Sequence, residues 1–396
     1  MITPANNLSY TIMEKFVLYN PVQLHFGEGV VETLGFAAST LGKKALVVLG
    51  KGSVKTNGSY DQTIRSLAAA GIDYVEYSGI KPNPLIEDVD QAAKLGREEN
   101  VDMIVAIGGG SVIDSAKIIA ITIPTAHSGW DFFEGNKKPL SAIPVIAVLT
   151  LAATGTEMNG TAVVQNNTLE KKLGFKHPLI YPKHSFLDPQ FTTSVPANHT
   201  ANGIIDLVAH ALEVWFGLGE APLSDRFITA IIKEAIEVGP KLMNDLQNKN
   251  LRARIMYAAT CALNGMTLPG KKHGDWAVHG IGHCMSVMWD LAHGVTLSIA
   301  YPAWLKIQER RIPERIALLG KEVFGSNNSA ETIQQFSDFF SHLGNPVTIP
   351  ETGISITNDD KQRFLSVMKK NKVNGLTHKL TEEDHQLIFD LMSQPL

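Results

Sequence analysis

Cysteine is nearly absent from this 396-residue chain. Only Cys261 and Cys284 occur, too few for a disulfide framework, and neither belongs to a Cys-x-x-Cys pair of the kind that holds zinc or cycles its redox state. Both read as plain thiols. An excess of one charge is lacking too: Lys plus Arg total 35 against 39 acidic residues, a net charge of −4. With no basic stripe or basic-aromatic run, nucleic acid is not an expected partner. No stretch approaches the roughly 20 uncharged apolar residues of a membrane span, and the N-terminus lacks the basic-then-apolar order of a secretory signal. These absences predict a compact cytoplasmic protein with neither membrane nor nucleic acid as partner. Internal repeats, low-complexity tracts and flexible linkers are missing as well.

What is present is apolar residue in quantity, 44% of the chain, over a length at which one hydrophobic core normally gives way to two. Residues 1–12 precede a second methionine, Met13, and read as an N-terminal extension without functional weight. Residues 13–195 carry an α/β pattern. Short apolar runs from Phe16 to Phe26 flank Asn20-Pro21 and read as two strands joined by a turn. Buried-type strands follow at 44–49, 103–107 and 143–149, with a further strand near 74–77. Helical patterns lie between them around 62–70 and at 86–98. Such alternation predicts a parallel, Rossmann-like sheet covered by helices on both faces.

From about 196 to 396 strand-like runs vanish. Amphipathic periodicity predicts helices at 201–216, 222–245, 251–266, 276–290, 304–319, 329–343, 358–370 and 381–393, an all-α half. Thr381 followed by Asp384 resembles a capping box with aspartate in the acidic place.

Three loops at strand ends suit a nucleotide. The strand at 103–107 runs into Gly108-Gly109-Gly110-Ser111, where glycines let backbone amides approach an anion and a helix N-terminus adds partial positive charge. A pyrophosphate is the natural guest, although the run is neither Gly-x-Gly-x-x-Gly nor a Walker motif; a tight turn alone would also use glycine. The turn after 44–49 holds Gly50, Lys51 and Ser53, a cation and a hydroxyl where an acid would bind ribose and repel a 2′-phosphate, which favours NADP over NAD. Thr150 and Thr154 to Glu157 add hydroxyls and a glycine after the next strand.

The second half carries metal-binding residue types. Asp206 and His210 stand at i and i+4 within an apolar helical run, so both face one way, and a buried carboxylate needs a cation or hydrogen-bond donors. His273, His279, His283 and His293 cluster in one short region. Spacing alone leaves His283 and His293 as alternative ligands. Imidazoles and one carboxylate without cysteine suit a single divalent metal, iron or zinc, with an open position if the ion is catalytic.

With GGGSVIDSAK at 108–117, ATGTEMN at 153–159 and DWAVHGIGH at 275–283 in that order, the chain resembles the iron-containing, group III alcohol dehydrogenases, over essentially everything after residue 13. Within that family it looks most like the NADPH-dependent butanol dehydrogenases and broad aldehyde reductases. The resemblance implies the fold shared with dehydroquinate synthase, an α/β nucleotide domain (13–195) followed by a helical metal domain (196–396). It places the metal ligands on Asp206, His210, His279 and His293, puts His283 near the nicotinamide and Lys172 beside the cofactor, and points Asn159 toward the substrate pocket. Cofactor phosphates would meet Gly109, Gly110 and Ser111, with Asp114, Thr150, Thr154 and Leu187 nearby and Ser53 facing the 2′-phosphate. Lys51 stands where a glycine is frequent. A homodimer is the family expectation.

The function so implied is reversible hydride transfer between NADP(H) and a small primary alcohol or aldehyde, with the metal polarising the carbonyl oxygen and His283 as a candidate proton relay. A dehydroquinate-synthase-like or glycerol-dehydrogenase-like enzyme would use the same scaffold. A metal-dependent hydrolase or nucleotide-binding regulatory module would give no reason for three glycine- or hydroxyl-bearing loops on one sheet edge.

Overall fold

The computed structural model describes residues 13–394; the expected extension at 1–12 lies outside them. Eight strands form: β1 (Gln23–Phe26), β2 (Lys44–Leu49), β3 (Asp73–Tyr77), β4 (Met103–Gly108), β5 (Val145–Leu149), β6 (Thr161–Asn166), β7 (Lys171–Lys176) and β8 (His184–Leu187). Six of them make one sheet in the order β1-β8-β5-β4-β2-β3, every pair parallel. The central strands β4 and β5 are buried along their whole length, which is why they read as unbroken apolar runs rather than alternating ones. One face of the sheet packs on a core that includes Leu46, Ile104 and Ala147, the other on one that includes Val47, Val105 and Val148.

The strand order fixes where a ligand can sit. From β2 the chain first moves outward to β3, then returns past β2 to β4 and continues through β5 and β8. The loops leaving β2 and β4 therefore diverge and open a crevice at their carboxyl ends. Gly50 follows β2, and the Gly108–Gly110 run begins at the last residue of β4, so both glycine segments border that crevice.

The second half is helical, as expected. It begins with a 19-residue helix, Ala197–Trp215, and packs around a core that includes Ile204, Leu212, Ile281 and Trp304. The helix Glu382–Ser393 starts on a complete capping box: Asp384 N–H donates to Thr381 Oγ1 at 3.2 Å and Thr381 N–H to Asp384 Oδ2 at 2.8 Å.

Three local expectations need correction. The segment from Phe16 to Phe26 yields one strand, β1, rather than two, because Asn20 spends its amide on the carbonyls of Met158 (2.7 Å) and Asn264 (3.0 Å) and ties the arm to the protein body. The helix expected at 304–319 is two helices, His293–Gln308 and Pro313–Val323. Pro313 takes the first-turn position where its missing N–H costs nothing, so the chain breaks just before it. Finally, β6 and β7 form an antiparallel hairpin, pairing Gln165 with Lys172, which apolar periodicity did not signal because β7 is mostly charged or exposed along its length.

Candidate active site

The glycine edge is built for close approach. At Gly110, which opens the helix Gly110–Thr122, an added Cβ would sit 2.6 Å from Thr154 Cγ2, and at Gly109 one would lie 3.3 Å from Leu151 Cβ. A side chain would collide at Gly110 and crowd its neighbour at Gly109, so glycine there leaves backbone amides and a helix N-terminus open to the crevice. Thr150 N–H donates to Gly108 O at 3.0 Å, and Leu187 ends the neighbouring β8. Lys51 and Ser53 are exposed in the turn after β2, where Gly52 has φ of 132°, a value that side chains resist. The six expected positions from Gly50 to Ser111 thus share one sheet edge, joined there by Thr150, Thr154 and Leu187.

Beneath this edge lies a buried polar network. Asp114 accepts from Thr156 Oγ1 (2.5 Å) and Val163 N–H (2.9 Å). The ammonium of Lys117, fully buried, donates to Thr156 Oγ1 (2.6 Å), Asn159 Oδ1 (3.2 Å) and Thr161 O (2.8 Å). Burial pushes Lys117 down to about 8, against the pull of the Asp114 and Glu157 carboxylates. Asn159 also accepts from Thr161 N–H and donates to Gly155 O at 2.9 Å. Asp114 and Asn159 therefore act as anchors of the 154–161 loop in this structure.

The metal-binding residue types converge in the second half. Asp206, His279 and His293 bring ligand atoms within 4.8 Å of one another. Asp206 Oδ1 lies 3.7 Å from His293 Nε2, 3.8 Å from His279 Nε2 and 3.5 Å from His210 Nδ1. His210 stands at the margin of the trio, its ring stacked on His279 at 4.7 Å. Between the two alternatives left open by spacing, it is His293 that reaches Asp206; the His283 ring sits behind, 5.5 Å from that of His293.

A divalent cation fits this set. Asp206 Oδ1, His210 Nδ1 and His279 Nε2 are buried without a hydrogen-bond partner, and an unsatisfied buried polar atom costs about 1–3 kcal/mol. One carboxylate and several imidazoles, with no thiolate, is a donor set for zinc or ferrous iron. Burial lowers His210 to about 4 and drives His283 and His293 well down, in the neutral form that ligates. His279 differs: burial opposes its protonation, but the carboxylates of Asp206 and Glu213 outweigh it and raise the ring to about 9.

A polar bridge joins the two halves. Lys172, buried on β7, donates to Asn83 Oδ1 at 2.8 Å and Ser286 Oγ at 3.2 Å, while Asn83 Nδ2 donates to Asp290 Oδ1 at 2.7 Å. Ser111, in the first turn after the glycines, donates its hydroxyl to Pro82 O. The glycine edge, the 82–83 loop, Lys172 and the segment leading to His293 are consecutive links of one network. Burial lowers Lys172 to about 8, opposed by Asp114, Asp206 and Asp290.

Sequence reasoning missed Lys117, Asn83 and Glu213. For Glu213 a signal existed: it lies at i+7 from Asp206 and i+3 from His210, on the same helix face. Asn83 carried none, since its loop bears no pattern that points across to Asp290.

Comparison with known proteins gives the family. A family model for iron-containing alcohol dehydrogenase matches residues 21–189, and one for the Fe-containing alcohol dehydrogenase family, C-terminal, matches residues 200–391. The chain is 39% identical over 352 residues to probable NADH-dependent butanol dehydrogenase 1 of Bacillus subtilis (strain 168), covering 87% of this chain and 91% of that one. It is 34% identical over 392 residues to the NADPH-dependent aldehyde reductase YqhD of Escherichia coli (strain K12), covering 96% and 98%. Among solved structures, NADH-dependent butanol dehydrogenase A of Thermotoga maritima superposes with a TM-score of 0.93 at 33% identity, covering 97% of this chain and 100% of that one. With both segments matched and relatives of 34–39% identity covering most of the chain, the protein belongs to the iron-containing alcohol dehydrogenase family.

Proposed function

We propose that the protein transfers hydride reversibly between NADP(H) and a small primary alcohol or aldehyde, working chiefly as a reductase of short aldehydes such as butanal. The observation that carries this reading is the donor cluster of Asp206, His279 and His293, within 4.8 Å, tied through Lys172 and Asn83 to the glycine edge of the sheet. In this reading Asp206, His210, His279 and His293 hold one divalent iron or zinc, in a helical domain from about 196 onward. That ion supplies a Lewis acid for the carbonyl oxygen, and the nicotinamide supplies the hydride.

The chain's own residues do the rest. Amides of Gly109 and Gly110 bind the pyrophosphate, and Lys172 adds a buried cation. His283, neutral through burial, passes a proton toward the product oxygen rather than storing one. For the 2′-phosphate, Ser53 offers a hydroxyl and Lys51 a cation. Lys55 is already paired with Glu76 at 3.1 Å, whereas Lys51 has no ion pair among the described residues. NAD is the second reading, favoured by the NADH-dependent butanol dehydrogenases among the relatives; YqhD favours NADP. Exposure of Phe16, Val17, Leu18 and Tyr19 supports a homodimer, since such a row is an apolar surface in search of cover.

The test is assay of protein reconstituted anaerobically with iron or zinc, using butanal with NADPH and NADH in parallel. Faster turnover per KM with NADPH is expected. Clear NADH preference overturns the Ser53 and Lys51 argument, and no oxidation of either cofactor overturns the activity.

A further inference from the structure

The helix Ala197–Trp215 does more than present Asp206 and His210. Two turns on, at the i+7 position from Asp206, it carries Glu213, whose side chain is buried. Glu213 Oε1 accepts from His279 Nδ1 at 2.8 Å and from the His279 backbone N–H at 3.1 Å, and Glu213 Oε2 accepts the Trp276 backbone N–H. Its two carboxylate oxygens therefore serve one imidazole and two backbone amides at the start of the helix Ala277–Trp289, Trp276 just before it and His279 in its first turn.

Consequences follow for His279. A metal at Nε2 would displace any proton held there, and the carboxylate at Nδ1 keeps the remaining proton on that nitrogen, so that the Nε2 lone pair is the one free to ligate. Nε2 is the atom that faces Asp206, at 3.8 Å, and the one without a hydrogen-bond partner. Trp276, just before the helix, adopts φ of 66°, an uncommon conformation for a bulky side chain that needs support from its surroundings. Glu213 provides it through the same carboxylate that aims the ring.

We propose that Glu213 is the positioning residue for His279, so that one rigid helix sets three of the four metal donors: two directly, at Asp206 and His210, and the third through a carboxylate–imidazole hydrogen bond. A carboxylate on the far nitrogen of a ligating histidine fixes its tautomer and raises its basicity as a ligand. Only His293 comes from an element that this helix does not hold by such a bond. This inference rests on the metal reading given under the proposed function.

The experiment compares wild type, Glu213→Gln and Glu213→Asp. Zinc dissociation constants are measured by chelator competition, cobalt(II) absorption reports coordination geometry, and thermal unfolding of metal-free protein reports the helix-capping role. In Glu213→Gln one side-chain oxygen becomes an NH2 group, so either the Trp276 N–H or the His279 side loses its acceptor, and the anionic charge is gone. Zinc affinity is expected to fall about 10- to 100-fold, with an altered cobalt spectrum, and Glu213→Asp to recover part of the loss. Zinc binding as tight as wild type in both variants, with only a lower unfolding temperature, would reduce Glu213 to a helix cap and overturn the proposal. Should Glu213→Gln not fold, the Glu213→Asp constants decide by the same criterion. Wild type that binds neither zinc nor cobalt defeats the metal reading itself, a result separable from any difference among the variants.

Discussion

Asp206 Oδ1 and His293 Nε2 lie 3.7 Å apart, although Asp206 sits in the middle of one helix and His293 is the first residue of another. A carboxylate and an imidazole at that separation, beyond a hydrogen bond yet buried together, leave room for an ion between them. Asp206→Ala should therefore strip bound metal and lower turnover by more than about 100-fold, the upper loss seen when groups merely supporting a ligand are removed. Elemental analysis and butanal assay check this. Full metal content in the variant would mean that the ion sits elsewhere.

Gly110 tests the cofactor edge without touching the metal. In Gly110→Ala the new methyl meets Thr154 2.6 Å away, and relieving such overpacking costs about 1–3 kcal/mol. Either the helix start or the Thr154 loop must move, so NADPH affinity should fall about tenfold or more, which corresponds to about 1.4 kcal/mol. Metal content should stay at the wild-type level. An unchanged cofactor dissociation constant would show that the phosphates bind away from this loop.

Lys172 predicts a pH dependence. Burial, opposed by Asp114, Asp206 and Asp290, lowers its ammonium to about 8. Below that value the cation is in place for an anionic cofactor. As pH rises through 8, binding must first restore the proton, so the logarithm of the NADPH dissociation constant should climb with a slope approaching about one per pH unit. The stability effect has the opposite sense. A lysine with a depressed folded-state value disfavours folding most below about 8, and that cost is relieved as pH rises toward its ordinary value. Lys172→Met should bind NADPH weakly at every pH, with a flat profile from pH 7.5 to 9.5. A slope that survives the substitution would assign the titration to another group.

Lys117 tests the scaffold under the site. Lys117→Met removes the buried ammonium that donates to Thr156 Oγ1, Asn159 Oδ1 and Thr161 O and whose charge acts on Asp114. Taking a donor away from buried acceptors costs about 1–3 kcal/mol. Urea denaturation of metal-free protein should show a loss of that order. A loss under about 1 kcal/mol would mean that the loop holds its shape without the lysine.

Most elements were legible because their signals are local. β4 and β5 are continuous apolar runs, buried from end to end, and the helices Ala197–Trp215 and Glu382–Ser393 announce themselves by periodicity and by the Thr381 cap. The hairpin β6–β7 stayed hidden because β7 buries a lysine, Lys172, in place of an apolar residue. The partners of that lysine, Asn83 and Ser286, stand on other elements, which no window along the chain contains. The break before Pro313 was visible as a proline but lost to a periodicity that continued across it.

The sequence by itself determined which residue types were available and where they stood on their own elements: glycines between a buried strand and a helix start, and Asp206, His210 and Glu213 along one helix face. Helical and strand repeat geometry fixes such relations over short distances. Which histidine stands beside Asp206, which carboxylate holds His279, and how Asn83 and Lys172 join the glycine edge to Asp290 were decided only by the tertiary structure. These pairs meet because separate elements pack together, and packing is set by the whole core rather than by any neighbouring stretch of chain.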